Sequence, residues 1–152
     1  MELLGWEGGA IMATVLVVDD NSMDRHLAGG LVEKAGLTPT YAANGREALD
    51  SLDRGDAADL VLTDLLMPEV DGLELVKEVR EKHPLVPVIL MTAYGSEEIA
   101  IEALKKGAAS YVPKRNLGRD LVETLERVLS ISRSGRDKHR LLECLTQTES
   151  HF

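Results

Sequence analysis

Asp64 closes a short apolar run, Leu60-Val61-Leu62-Thr63, and a proline follows at Pro68 after Leu65, Leu66 and Met67. A buried strand cannot run on through Pro68, which has no N–H for a sheet ladder, so the carboxylate stands at the strand's carboxyl end. Two more carboxylates, Asp19 and Asp20, directly follow the run Val15-Leu16-Val17-Val18. Thr92 follows the run from Val86 to Met91, and Lys114 follows Ala109 to Val112 and Pro113. In open parallel sheets, ligands bind in the crevice beyond the carboxyl ends of the strands, so these residues at matching ends point to one shared site. Crowded carboxylates raise one another's pKa and destabilise the site until a cation neutralises them. An all-oxygen acidic pocket suits Mg2+, which takes carboxylates, water and commonly a phosphate oxygen. Each residue alone has an ordinary reading: Asp19 and Asp20 as helix-start acids, Asp64 as a turn Asp, Thr92 as a strand-end hydroxyl, Lys114 as a surface charge. Their joint placement outweighs those readings.

The elements between these residues must bring them together. Asn21 or Ser22 caps a first helix with Leu27, Leu31 and Val32 as its apolar stripe, and Gly36 ends it in the left-handed conformation. Thr38 to Ala42 is a weaker second strand. Asn44 with Glu47 makes a capping box for a second helix that buries Ala48, Leu49 and Leu52 and closes at Gly55. Asp71 with Glu74 starts a third helix, faced by Leu73, Val76 and Val79 and stopped by His83-Pro84. The fourth strand, Val86 to Met91, finishes at Thr92-Ala93-Tyr94-Gly95. Ser96 then caps a fourth helix whose Glu97 and Glu98 and whose Lys105 and Lys106 match the helix dipole, before Gly107. Asn116 opens a fifth helix carrying Leu121, Leu125 and Val128. Alternating strands and helices predict a parallel sheet covered by helices on both faces, an α/β fold whose strand order this pattern leaves open.

The chain has 152 residues, a length for one domain with modest tails and a core that needs no staples. Its 26 Asp plus Glu against 17 Lys plus Arg give a net charge of -9, which opposes polyanions and argues against direct nucleic-acid binding. The lone Cys144 cannot form an internal disulfide and suits a reducing compartment, the cytoplasm. No window offers the roughly 20 apolar residues of a membrane span, and the first residues lack the positive charge of a secretory signal. Residues 1–13 read as a disordered leader, or as an extension ahead of a natural start at Met12. His26, His83, His139 and His151 lack metal-ligand spacing and read as solvent-facing or tail residues.

Taken in order, Val17-Val18-Asp19-Asp20, the lone Asp64 with Met67-Pro68 and Asp71-Gly72, Thr92-Ala93, and Tyr111 three before Lys114 make the chain resemble the receiver domains of two-component response regulators. The resemblance covers residues 14–129 and implies the flavodoxin-like fold, a doubly wound five-stranded parallel sheet of order 2-1-3-4-5. It implies that Asp64 is the phosphoacceptor, that Asp20 and Asp64 ligate Mg2+ directly with the backbone carbonyl of Leu66, and that Asp19 acts through water. Lys114 and Thr92 would stabilise the phosphoryl oxygens, and Thr92 and Tyr111 would form the switch. The donor would be a histidine kinase or phosphotransfer protein. The domain would catalyse its own aspartyl phosphorylation and dephosphorylation while serving primarily in signalling. Residues 97–129 would supply the partner or homodimer face.

One departure concerns the residue after Lys114, which is commonly proline in this family and here is Arg115. A non-proline cis bond costs about 2.5 to 4 kcal/mol, so a trans Lys114-Arg115 bond is expected. A flavodoxin-type cofactor site fails because Asp19 and Asp20 would repel a phosphate. A phosphatase of the Asp-x-Asp kind fails at Leu65-Leu66. A degenerate receiver, acting as a phosphorylation-independent interaction module, is the alternative. Residues 130–152 form a linker or tail whose apolar spacing restarts at Leu141, Leu142 and Leu145, a set too short for a stable helix alone and placed to couple to an output domain beyond Phe152.

Overall fold

The apolar runs fold as five parallel strands: β1 (Thr14–Val18), β2 (Thr38–Ala42), β3 (Leu60–Asp64), β4 (Val88–Thr92) and β5 (Ser110–Pro113). The structure is a computed structural model that describes residues 13–93 and 95–132. Between the strands run α1 (Ser22–Lys34), α2 (Gly45–Asp53), α3 (Gly72–Lys82) and α4 (Glu97–Lys105), and α5 covers 117–132 after a 3-10 turn at Lys114–Asn116. The strand order is β2-β1-β3-β4-β5, the doubly wound order that the resemblance implied. Residues 1–12 of the leader, Tyr94, Cys144, His139, His151 and the apolar set at Leu141, Leu142 and Leu145 lie outside the described residues, whereas Ala13, the last residue of the leader, is buried.

Alternation along the central strands divides the core into two layers. Leu16, Val18, Val61, Val88 and Leu90 pack with Leu49, Leu52, Leu75, Val76, Val79 and Ala103, so α2, α3 and α4 cover one face. Val15, Val17, Leu60, Leu62, Ile89 and Met91 pack with Ala28, Val32, Leu121, Leu125 and Val128, so α1 and α5 cover the other. β3 and β4 are buried along their whole length, as expected of parallel strands with helices on both sides.

Capping follows the sequence at three starts. Asn21 Oδ1 accepts from Asp24 N at 3.0 Å, Asn44 Oδ1 from Glu47 N at 2.8 Å, and Asp71 Oδ1 from Glu74 N at 2.9 Å. Glu47 Oε1 reaches back to Ala43 N at 2.9 Å, one residue before the usual partner of a capping box. Gly36 takes φ 83 and ends α1 in the left-handed region.

Several local expectations need correction. Ser96 precedes α4 but makes no side-chain capping bond, because its backbone (φ -102, ψ 14) is not the extended conformation that turns a cap hydroxyl onto the helix. Leu27 is not part of the buried stripe of α1: it is exposed, and Ala28, Gly29 and Val32 face the sheet. A Cβ at Gly29 would collide with the Tyr41 ring, so this face is kept small by Tyr41. On α3 the buried set is Leu75, Val76 and Val79, with Leu73 only partly covered. β4 begins at Val88, after Pro87, which cannot donate to the ladder. The fifth helix starts after Asn116 rather than at it, because Lys114–Asn116 wind as the 3-10 turn. Every described peptide bond is trans, Lys114-Arg115 included.

Candidate metal and phosphoryl site

Register decides which side chains meet. Val18 pairs with Thr63, so Asp19 comes level with Asp64 one residue further on. Asp64 pairs with Met91, and Thr92 pairs with Pro113, which brings Thr92 and Lys114 to the same edge. The carboxyl ends of β1, β3, β4 and β5 therefore converge, and Asp20 overhangs them from the turn into α1.

Oxygens of Asp19, Asp20 and Asp64 lie within 4.8 Å of one another. Asp19 is fully buried, Asp64 nearly so, and Asp20 is exposed, so the cluster opens to solvent on the Asp20 side. Asp19 Oδ1 accepts from Asn21 N at 2.9 Å, and the guanidinium of Arg25 donates to the Asp19 carbonyl at 2.7 Å. Asp19 Oδ2 is buried without a hydrogen bond, although the Lys114 ammonium stands 3.0 Å away. A buried carboxylate oxygen left without a hydrogen bond beside two further carboxylates is a donor set suited to a hard cation, so the residues fit Mg2+.

Lys114 Nζ also lies 3.5 Å from Asp64 Oδ1 and 2.8 Å from Asp24 Oδ2. Burial pushes the Asp64 carboxyl up to about 6; the Lys114 charge opposes this, and Asp19 and Asp20 reinforce it. Burial works against the Lys114 ammonium, but the hydrogen bond to Asp24 and the neighbouring charges of Asp19 and Asp64 outweigh it, so its pKa lies above the ordinary lysine value.

The loop after Asp64 is held tightly. Gly72 N donates to Leu65 O at 2.8 Å, and a Cβ on Gly72 would stand 2.7 Å from the Asp64 carbonyl oxygen and 2.7 Å from Leu65 Cα. The start of α3 therefore abuts the end of β3, which only glycine allows. Within the loop, Glu69 takes φ 64, a left-handed conformation uncommon for a residue with a side chain. Leu66 is exposed and Met67 buried. Thr92 is buried and Ala93 exposed, while Tyr111 is partly buried against the layer beneath α2, α3 and α4.

Sequence reasoning singled out Asp19, Asp20, Asp64 and Lys114, and the structure brings these four together. It did not single out Asp24 or Arg25. Asp24 sits three residues after the cap Asn21, a position from which a first-turn side chain turns back toward the strand ends, and that was the available signal. Among the described residues, no helix is long and apolar enough to cross a membrane.

The model of the response regulator receiver domain family matches residues 15–126. Over 116 residues the chain is 40% identical to the DNA-binding transcriptional regulator NtrC of Escherichia coli K12, covering 76% of this chain and 24% of that protein. It is 40% identical over 120 residues to the transcriptional regulatory protein ZraR of the same organism, covering 79% of this chain and 27% of that one. The chain thus spans about a quarter of the length of these curated relatives. A solved receiver domain protein from Clostridium thermocellum superposes with a TM-score of 0.75 at 28% identity, covering 80% of this chain and 98% of that chain.

Proposed function

Since the chain belongs to the response-regulator receiver domain family, we propose that Asp64 takes a phosphoryl group from a partner's phosphohistidine and thereby switches a partner-binding face. The observation that carries this reading is the convergence of Asp19, Asp20 and Asp64 with the Lys114 ammonium, 3.5 Å from Asp64, at one edge of the sheet. An Asp64 carboxylate oxygen attacks phosphorus, the O–P bond forms, and the P–N bond to the donor imidazole breaks with its electron pair leaving on nitrogen. Asp20, Asp64 and the Leu66 carbonyl directly, and Asp19 through water, would hold Mg2+, which would supply positive charge to the phosphoryl oxygens. Lys114 pairs with a second equatorial oxygen and the Thr92 hydroxyl donates to another, so transfer depends on positioning and charge rather than on a proton relay. Asp64 must be ionised to attack, and neutralising its acidic neighbours favours that form. The product is an acyl phosphate, which water can hydrolyse, so the domain limits its own signal.

For output, the Thr92 hydroxyl moves toward the phosphoryl group, Tyr111 turns into the space it leaves, and the surface of residues 97–129 changes shape. A histidine kinase or phosphotransfer protein is the donor. Output lies with a further domain or partner, as the coverage of only a quarter of the NtrC and ZraR relatives supports. The net charge of -9 and the single cysteine support a cytoplasmic domain that does not itself contact nucleic acid.

Labelling tests the reading. With acetyl phosphate and Mg2+, intact mass should rise by one phosphoryl group, and Asp64→Ala or a chelator should abolish the gain. Equal labelling of Asp64→Ala would sink the assignment. A folded parent that takes no label under any donor would favour the phosphorylation-independent interaction module.

A further inference from the structure

The Lys114 ammonium makes its shortest contact with a carboxylate that stands at no strand end. Its nitrogen is 2.8 Å from Asp24 Oδ2, against 3.0 Å from Asp19 Oδ2 and 3.5 Å from Asp64 Oδ1. Only the Asp24 contact is a hydrogen bond of good geometry; Asp19 Oδ2 has none. Asp24 is also the outermost of the three, with a side chain 41% exposed, where those of Asp19 and Asp64 are 0% and 10% exposed. It is fixed on a rigid element. Its backbone N–H is capped by Asn21, the first turn of α1 favours an anion, and Arg25 ties the same turn to the Asp19 carbonyl. Lys114 instead hangs on a four-carbon stem from the 3-10 turn after β5, so the lysine is the partner that moves.

We propose that Asp24 is a positioning residue, a resting-state latch that holds the Lys114 ammonium at the outer edge of the acidic pocket until phosphoryl transfer draws it inward. The proposal rests on the reading of Asp64 as phosphoacceptor. It has two consequences. Held toward Asp24, the ammonium stands 3.0 Å from Asp19 Oδ2 but stays 3.5 Å from Asp64 Oδ1, so Asp64 is the carboxylate it leaves more open to a cation. The Lys114–Asp24 pair must also break before the lysine can serve the phosphoryl group, so the latch slows charging of Asp64.

The test uses the full chain and the variants Asp24→Asn, Asp24→Glu and Lys114→Ala. At saturating Mg2+, Asp24→Asn should label about fivefold faster than the parent, the factor expected for losing one partly exposed ion pair. The factor should be the same for acetyl phosphate, a dianion, and phosphoramidate, a monoanion. Asp24→Glu, which keeps the charge and the reach, should stay near the parent rate. Without donor, the Mg2+ concentration at half-maximal thermal shift should rise in Asp24→Asn, and rise more with Lys114 present than over Lys114→Ala. Unchanged or slower labelling of Asp24→Asn overturns the latch, as do equal Mg2+ shifts with and without Lys114. Acceleration confined to the dianionic donor overturns it too, since that is plain repulsion of the donor by the Asp24 charge. A parent that takes no label overturns the phosphoacceptor reading and the latch with it, whereas a labelled parent whose Asp24→Asn variant is not accelerated overturns the latch alone.

Discussion

The two ends of this sheet treat polar groups in opposite ways. At the amino ends the chain satisfies itself: Asp59 Oδ2 accepts from Thr14 N at 2.8 Å, Asp59 N donates to Thr14 O at 2.8 Å, Thr38 N to Ala13 O at 3.0 Å and Val61 N to Pro87 O at 2.9 Å. At the carboxyl ends, Asp19 Oδ2 lies buried without a hydrogen bond, Asp64 has its carboxyl pushed up to about 6, and Glu69 takes a left-handed backbone. Both ends belong to the same strands and share the same two apolar layers. Burial alone therefore does not explain the difference. One end is closed by its own hydrogen bonds, while the other gathers carboxylates that the single Lys114 ammonium offsets only in part.

The largest change should come from closing the gap at the carboxyl end. Gly72→Ala places a Cβ 2.7 Å from backbone atoms of Asp64 and Leu65, which cannot yield as a side-chain tip would. The loss should be about 2–3 kcal/mol by urea unfolding, with Asp64 displaced and labelling slowed. An unchanged midpoint would mean that α3 is free to shift away from β3.

A smaller effect, of the opposite sign, follows from the trapped charge. In chelator, Asp64 holds its proton up to about pH 6 in the folded chain, whereas the unfolded carboxyl releases it near the ordinary value of 3.8. The folded state binds the extra proton between those limits, so stability should fall as pH rises from about 4 to about 6 and be independent of this group above that. Asp64→Asn should remove the slope and gain about 1–2 kcal/mol at pH 7, a figure discounted for the solvent reaching the cluster past Asp20. A parent whose stability rises across that window would contradict the picture of a strained carboxyl end.

The same contrast governs what the sequence made legible. The strands and the convergence of Asp19, Asp20, Asp64 and Lys114 were readable because these residues stand at the ends of apolar runs, and parallel pairing turns like positions in sequence into neighbours in space. The caps Asn21, Asn44 and Asp71 were readable because capping is a local bond between residues three apart. Ser96 carries the same signal and fails, since its backbone (φ -102, ψ 14) is not extended as a cap residue's is. Leu27 misled because helical spacing gives a face but not which part of it meets the sheet, and it is Ala28, Gly29 and Val32 that are buried. Asp24 was missed because its partner is 90 residues away along the chain, and only the fold brings Lys114 to it.

The smallest expected effect is at the amino end, and it serves as the control for the others. Asp59 precedes β3 and reaches sideways to the first N–H of β1, so its carboxylate joins two neighbouring strands where no site chemistry is proposed. A charged acceptor taking one backbone N–H is worth about 1–2 kcal/mol, less where solvent competes, and Asp59 is only partly buried. Asp59→Ala should therefore cost about 1 kcal/mol of unfolding free energy and lower Tm without changing the Mg2+ dependence of stability or the rate at which Asp64 is labelled. Asp59→Asn keeps an acceptor for Thr14 N and should recover about half of the loss. If Asp59→Ala instead altered Mg2+ binding or labelling, strain would be passing along β1 and β3 from one end to the other, and the division of the sheet into a self-satisfied end and a ligand-dependent end would not hold.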